Sequence, residues 1–235
     1  MRILALETTE RLGSVAAAED AKLLLEIDLE KFLRTAQSLT PAIKRLLAKV
    51  GWRPRDVELV ATCIGPGSFT GLRVGIATAK TFAYAAKAEV LGIDTLEAIA
   101  ASNPSKVGRI SVAVDAQRGD VVFRGFSYNS EGWPLAEADE QLVPFQTWLD
   151  CLPPGMFVSG PALRKRQTPL PGQIQAIARE YWSPRASSVA RLTHYHFTEG
   201  HRDDLWRLLP RYSRRSAAEE KWEARHHPPQ GKRSS

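Results

Sequence analysis

Two cysteines, two methionines and five histidines are the whole supply of soft metal ligands and redox-active side chains in 235 residues. Cys63 and Cys151 form neither a paired motif nor a disulfide framework, so a reducing compartment is expected and the localisation is read as cytoplasmic. The histidines stand at 194, 196, 201, 226 and 227. His194 and His196 fall on different faces of one predicted helix, which argues against a metal site. Long apolar runs are absent too. "FAYAA" ends at Lys87, well short of the roughly 18 apolar residues of a membrane span. The N-terminal "MRILALETT" alternates like a strand rather than leading to a cleavage site. No Ser-His-Asp or Cys-His arrangement declares a nucleophile. Neither charge sign dominates, since 32 Lys and Arg face 26 Asp and Glu for a net +6. Residues 200–235 hold nine of the cations against five acids and end in "RHHPPQGKRSS". That composition reads as a solvated, frayed tail, with contact to RNA phosphates as the alternative.

What is present is an alternation of strands and helices. "RILALETT", "GSVAAAED" and "KLLLEIDL" read as three strands separated by short turns. Leu39, Ile43, Leu46, Leu47 and Val50 follow at helical spacing, with Pro41 early in the helix and Gly51 and Pro54 stopping it. "ELVATCI" is apolar enough for a strand buried on both faces. A glycine-rich loop, a long helix, the strand "EVLGI" and a helix from Thr95 complete the unit. After "SNPSKVG", a stretch of linker composition, the pattern restarts with "RISVAVDA", "DVVFRGFSY" and "WPLAEADEQLV" as strands. Helix "FQTWLDCL", strand "MFVSG" and a later helix "RASSVARLTHYHFTEG" follow. Strand-strand-strand-helix-strand used twice is the outline of two ribonuclease-H-like lobes. The expected domains are residues 1–104, residues 108–212 with late helices packing back on the first lobe, and a flexible basic tail at 213–235.

"CIGPGSFTGLRVGIATAKTFAYAA", residues 63–86, holds the densest chemistry. A phosphate loop of the Walker type needs a lysine directly after the last glycine, but Leu72 and Arg73 follow Gly71. Gly65, Gly67 and Gly71 also miss the last interval of a dinucleotide fingerprint. Backbone N–H groups near Gly67 and Ser68 still stand where a helix start favours anions. The other use of the glycines is close approach. Gly71, Gly75 and Ala79 form a thin ridge, and Leu72, Ile76, Ala79, Ala83 and Ala86 a seam at three-four spacing, facing either a partner helix or the lobe's own core. Glu7-Thr8-Thr9 closes the first strand, and Asp115 holds the same place in the second unit. Two such acids across one cleft suit metal-bound phosphate. Gly160 in "VSGPALRK" faintly resembles an adenosine loop.

"GPGSFTGLRVGIATAKTFA" resembles the TsaB family, the partner subunit of the bacterial system that makes threonylcarbamoyladenosine beside the tRNA anticodon. "LTPAIKRLL", "LGIDTLEAIA", "VAVDAQRGDVV" and "PRYSRRSAAEEK" carry the likeness across residues 2–221. The resemblance implies an α/β fold of two ribonuclease-H-like lobes in the actin-like ATPase class. It implies a non-catalytic scaffold that pairs with the TsaD catalytic subunit, forms a homodimer alone, joins a TsaE-like ATPase and reaches tRNA through the complex, away from any membrane. TsaD carries two metal-binding histidines in a segment that aligns with "GIDTLEAI", where Thr95 and Ile99 stand instead. No metal and no tightly bound cofactor are therefore expected, with at most weak ATP or ADP binding at a vestigial site of Glu7, Thr8, Gly67, Ser68, Asp115 and Gly160. The resemblance also assigns Leu39, Ile43, Gly71, Leu72, Gly75, Ile76, Ala79 and Ala83 to the partner interface. A histidine that many members carry before the first helix is missing from "RTAQSLTP". The alternative function is an active ATP-dependent small-molecule kinase or ATPase of the same fold class.

Overall fold

The computed structural model describes residues 1–103, 107–165 and 169–214, together with Trp222. The centre of the expected linker and nearly all of the expected tail lie outside these residues. Strands β1 (Arg2–Glu7), β2 (Ser14–Glu19) and β3 (Lys22–Asp28) form an antiparallel meander. Helix α1 (Thr35–Val50) leads to β4 (Leu59–Gly65), and α2 (Phe69–Ala86) leads to β5 (Glu89–Asp94). Both of these strands lie parallel to β1, because a helical crossover returns the chain to the same edge. The sheet order is β3-β2-β1-β4-β5. Pro41 lies in the second turn of α1 rather than the first, since the helix opens at Thr35. Gly51, at φ 72°, closes it in the left-handed conformation.

Alternation along β1 feeds two separate cores. Leu4 and Leu6 pack against Leu39, Leu46, Ile76 and Ala79 of α1 and α2. Ile3 and Ala5 pack on the opposite face, against α3 (Thr95–Ala101) and α5 (Ala186–Thr198). Helix α5 follows the second lobe in sequence, yet Ala186, Val189, Ala190 and Leu192 complete this second face of the first sheet.

The second lobe repeats the design with β6 (Arg109–Asp115), β7 (Asp120–Tyr128), β8 (Pro134–Ala136), β9 (Gln141–Pro144), α4 (Phe145–Asp150), β10 (Phe157–Ser159) and β11 (Gln175–Ala176). Its order, read from the β8 edge as β8-β7-β6-β10-β11, repeats that of the first lobe with the same strand directions, and β9 also pairs with β7. The single strand expected over 133–143 is thus two short ones, parted by the acid-bearing bend at Glu137–Glu140. Leu96, Ile99 and Ala100 of α3 enter the second core beside Val112, Phe126 and Trp148. The result is an α/β fold of two ribonuclease-H-like lobes in the actin-like ATPase class, with α3 shared between the cores.

Candidate functional site at the interlobe cleft

Strands β1 and β6 end on opposite sides of a cleft, as their equivalent places in the two sheets require. Thr9, Arg11, Arg34, Ser68 and Asp115 line it, with Gly67 at the turn into α2. Gly67, Ser68 and Asp115 are therefore brought together as the sequence suggested. Glu7 and Thr8 are not at this surface. Both are fully buried. Oε1 of Glu7 accepts hydrogen bonds from the Thr9 N–H at 2.6 Å and the Thr9 hydroxyl at 2.5 Å, while Oε2 has no partner among the described residues. Burial pushes the carboxyl up to about 8 against those two hydrogen bonds, so it is protonated at neutral pH. A neutral, sealed acid is a poor metal ligand. Thr8 donates to the Gly71 carbonyl at 2.9 Å. Gly160 belongs elsewhere as well. At φ 113° it lies against β6, where an added Cβ would stand 2.0 Å from the Ala113 carbonyl oxygen.

The glycines of the loop are used for close approach within the chain. A Cβ at Gly71 would sit 1.9 Å from the Thr8 oxygen, and one at Gly75 2.2 Å from the Thr8 hydroxyl. Gly67 leaves room for Thr9, and Gly65, at φ 130°, for the backbone of Arg211. The Ser68 hydroxyl caps α2 by accepting from the Gly71 N–H at 3.2 Å, and the Ser68 N–H donates to Thr9. Lys80 is no phosphate lysine, because its ammonium donates to the carbonyls of Trp206 and Leu208.

Gly71, Leu72, Gly75, Ile76, Ala79 and Ala83 are all buried in the first lobe, as are Leu39 and Ile43. The thin ridge is the inner face of α2, which corrects its reading as an outward contact ridge. The face left outside carries Arg73, Ala77, Thr81 and Tyr84. Beside it runs an apolar groove between α1 and α2, floored by Ile43, Leu47, Trp52 and Phe82. Thr95 and Ile99 are also sealed, at 1% and 0% exposure. No cluster of three or more His, Cys, Asp or Glu suited to a metal occurs among the described residues.

Sequence reasoning missed a charged network on one flank of the cleft. Asp94 caps α3 through Oδ1, accepting from Leu96 and Glu97, while its Oδ2 accepts from Arg124 at 3.0 Å and Arg211 at 3.1 Å. The available signal was Asp94 directly before a helical pattern. Its two arginine partners come from positions 30 and 117 residues away.

Comparison with known proteins places this geometry in a family. The family model described as TsaD, tRNA N6-adenosine threonylcarbamoyltransferase, matches residues 34–220. The tRNA threonylcarbamoyladenosine biosynthesis protein TsaB of Bacillus subtilis is 30% identical over 232 residues, covering 94% of this chain and 98% of that one. The TsaB protein of Escherichia coli is 33% identical over 147 residues, 61% of this chain and 63% of its own. Among solved structures, YeaZ from Pseudomonas aeruginosa superposes with a TM-score of 0.73 at 24% identity, covering 90% of this chain and 99% of YeaZ. With one sheet order used twice, a shared α3 and a likeness that runs nearly end to end, the chain belongs to the TsaB family of tRNA threonylcarbamoyladenosine biosynthesis proteins.

Proposed function

We propose that this protein serves tRNA threonylcarbamoyladenosine biosynthesis as a non-catalytic subunit that docks on a TsaD-type catalytic subunit. The observation that carries this reading is the fate of Thr95 and Ile99. They stand where the paralogue's metal-binding histidines align, and both side chains are spent on packing. An isoleucine has no lone pair to offer a metal, and Ile99 packs in one apolar cluster with Leu96, Val112 and Phe126. The residual cleft carries Ser68 and Asp115 but has lost Glu7 to the interior.

Docking is assigned to the outer face of α2 and the groove it shares with α1. Ala77, Thr81 and Ala85 are small, so a partner helix can lie close, and Ile43, Leu47 and Phe82 offer apolar area beside them. The same face forms a homodimer when the catalytic subunit is missing, and a TsaE-like ATPase joins the assembly. Reconstitution tests the reading. The chain alone gives no threonylcarbamoyl transfer and retains no stoichiometric iron or zinc, whereas adding the TsaD-type subunit restores transfer. Thr81→Trp keeps its melting temperature but stops co-elution with that subunit. Transfer by the lone chain, or about one tightly held metal per chain, would overturn the proposal. Low-micromolar affinity for ATP-Mg²⁺ by calorimetry would support the kinase alternative instead.

A further inference from the structure

Residues 203–214 leave α5, run along the first lobe and end on the second. Asp203 accepts the Gly92 N–H of β5 at 2.8 Å. Asp204 caps the following turn by accepting from the N–H groups of Trp206 and Arg207. Leu208 is buried in the first-lobe core, and the Lys80 ammonium of α2 donates to its carbonyl and to that of Trp206. At Arg211 the backbone N–H donates to Ile64 at 2.7 Å, and the carbonyl passes so close to Gly65 that any side chain there would collide with it. Tyr212 stacks on Phe69 at 4.6 Å and accepts a hydrogen bond from Arg73 at 2.9 Å. This half of the segment belongs to the first lobe.

The arginines reach across. One nitrogen of Arg211 donates to Asp94 in the first lobe and another to Glu140 in the second, each at 3.1 Å. Arg124 of β7 donates to the same Asp94 oxygen, so two guanidinium groups from different elements converge on one buried carboxylate. Arg214 donates to Asp120 at 2.6 Å and to the Ala116 carbonyl at 3.4 Å, tying the β6–β7 turn. Tyr212 is thus fixed to the first lobe, while Arg211 and Arg214 extend to the second.

We propose that residues 203–214 are a built-in clamp that sets the angle between the two lobes and holds the cleft closed without a bridging ligand. Two lobes joined by a modest interface hinge by default, and closure ordinarily follows from a ligand that contacts both sides. Here the chain's own arginines make those contacts. Among their carboxylate partners Asp94 is buried, at 9% side-chain exposure, while Glu140 and Asp120 are partly exposed, so salt reaches the second-lobe contacts. The clamp stands independently of the docking proposal.

Interlobe distances read it directly. Cys151 is exposed in the second lobe, Cys63 is buried and unavailable to a label, and Lys49→Cys supplies an exposed site on α1. Spin labels at 49 and 151 give a narrow distance distribution that ATP-Mg²⁺ does not shift. Arg211→Ala with Arg214→Ala broadens it, and the Ala116 and Asp120 amides of the β6–β7 turn exchange about tenfold faster while β1 and β4 stay protected. Should that variant fail to fold, Asp120→Asn with Glu140→Gln leaves every first-lobe contact intact and also broadens the distribution, as does about 1 M salt, where the screening length falls to about 3 Å. Unchanged distances would overturn the clamp. So would narrowing of the native protein by ATP-Mg²⁺, or protection lost throughout the first lobe.

Discussion

Glu7 and Asp115 end equivalent strands of two lobes with the same sheet order, yet one carboxyl is sealed and the other lines a cleft. The first sheet is covered on both faces by helices, the second face by α3 and by α5 arriving from the far end of the chain. Glu7 points into that doubly covered interior, where Thr9 supplies its only hydrogen bonds among the described residues. The β6–β7 turn has no such cover, and it takes Gln117, Arg118 and Gly119 through left-handed backbone at φ 65°, 55° and 85°. Strand order thus decides where an acid stands. What packs over it decides whether it meets the cleft.

The largest effect should come from the glycines that let the first lobe close. Gly71→Ala and Gly75→Leu drive a Cβ into Thr8 and should each cost about 3 kcal/mol or more, seen as insoluble expression or early thermal unfolding. Gly119→Ala in the β6–β7 turn of the second lobe meets open space and only the left-handed φ, so about 1 kcal/mol is expected. Equal losses at the two places would break the contrast. Next, Ile99→His buries an imidazole in the shared core and should cost about 3 kcal/mol without metal uptake, checked by melting and metal analysis together.

Glu7 itself sharpens the comparison through pH. Its folded value of about 8 exceeds the 4.5 of an ordinary glutamate, so the folded state keeps a proton that the unfolded state releases. Stability therefore falls as pH rises from about 4.5 to 8 and is flat in this respect beyond. Glu7→Gln should stabilise by about 2 kcal/mol at pH 8 and do little at pH 4. Denaturant titrations at the two pH values settle it. The smallest effect is expected where α5 meets α3. Burial alone would lower the His196 value, but the hydrogen bond and charge of Glu97 overcome it and raise the net value. That support is full below pH 6.5 and fades as pH rises past the raised value. Glu97→Gln should then cost under about 1 kcal/mol at pH 6 and nothing at pH 9.

Local patterns made much of this molecule legible. Period-two alternation in "RILALE" and the helical spacing of Leu39, Ile43 and Leu46 reported strands and helix because each depends on which side of one element meets the core. The doubled order of elements, and so the two lobes, could be read for the same reason. That Ile99 offers no metal ligand is likewise a property of sequence, since an isoleucine cannot bind metal in any fold. Which way the Gly71–Gly75 ridge faced was not legible. A stripe of small residues permits close approach, and only assembly showed that Thr8, just past the end of β1, is what approaches. Glu7 and Asp115 looked alike for the same cause, because a carboxyl's burial depends on neighbours brought from far along the chain. Arg124 and Arg211 meet on Asp94 from sequence separations of 30 and 117, a convergence that no local spacing encodes and that sheet pairing and the path of residues 203–214 create.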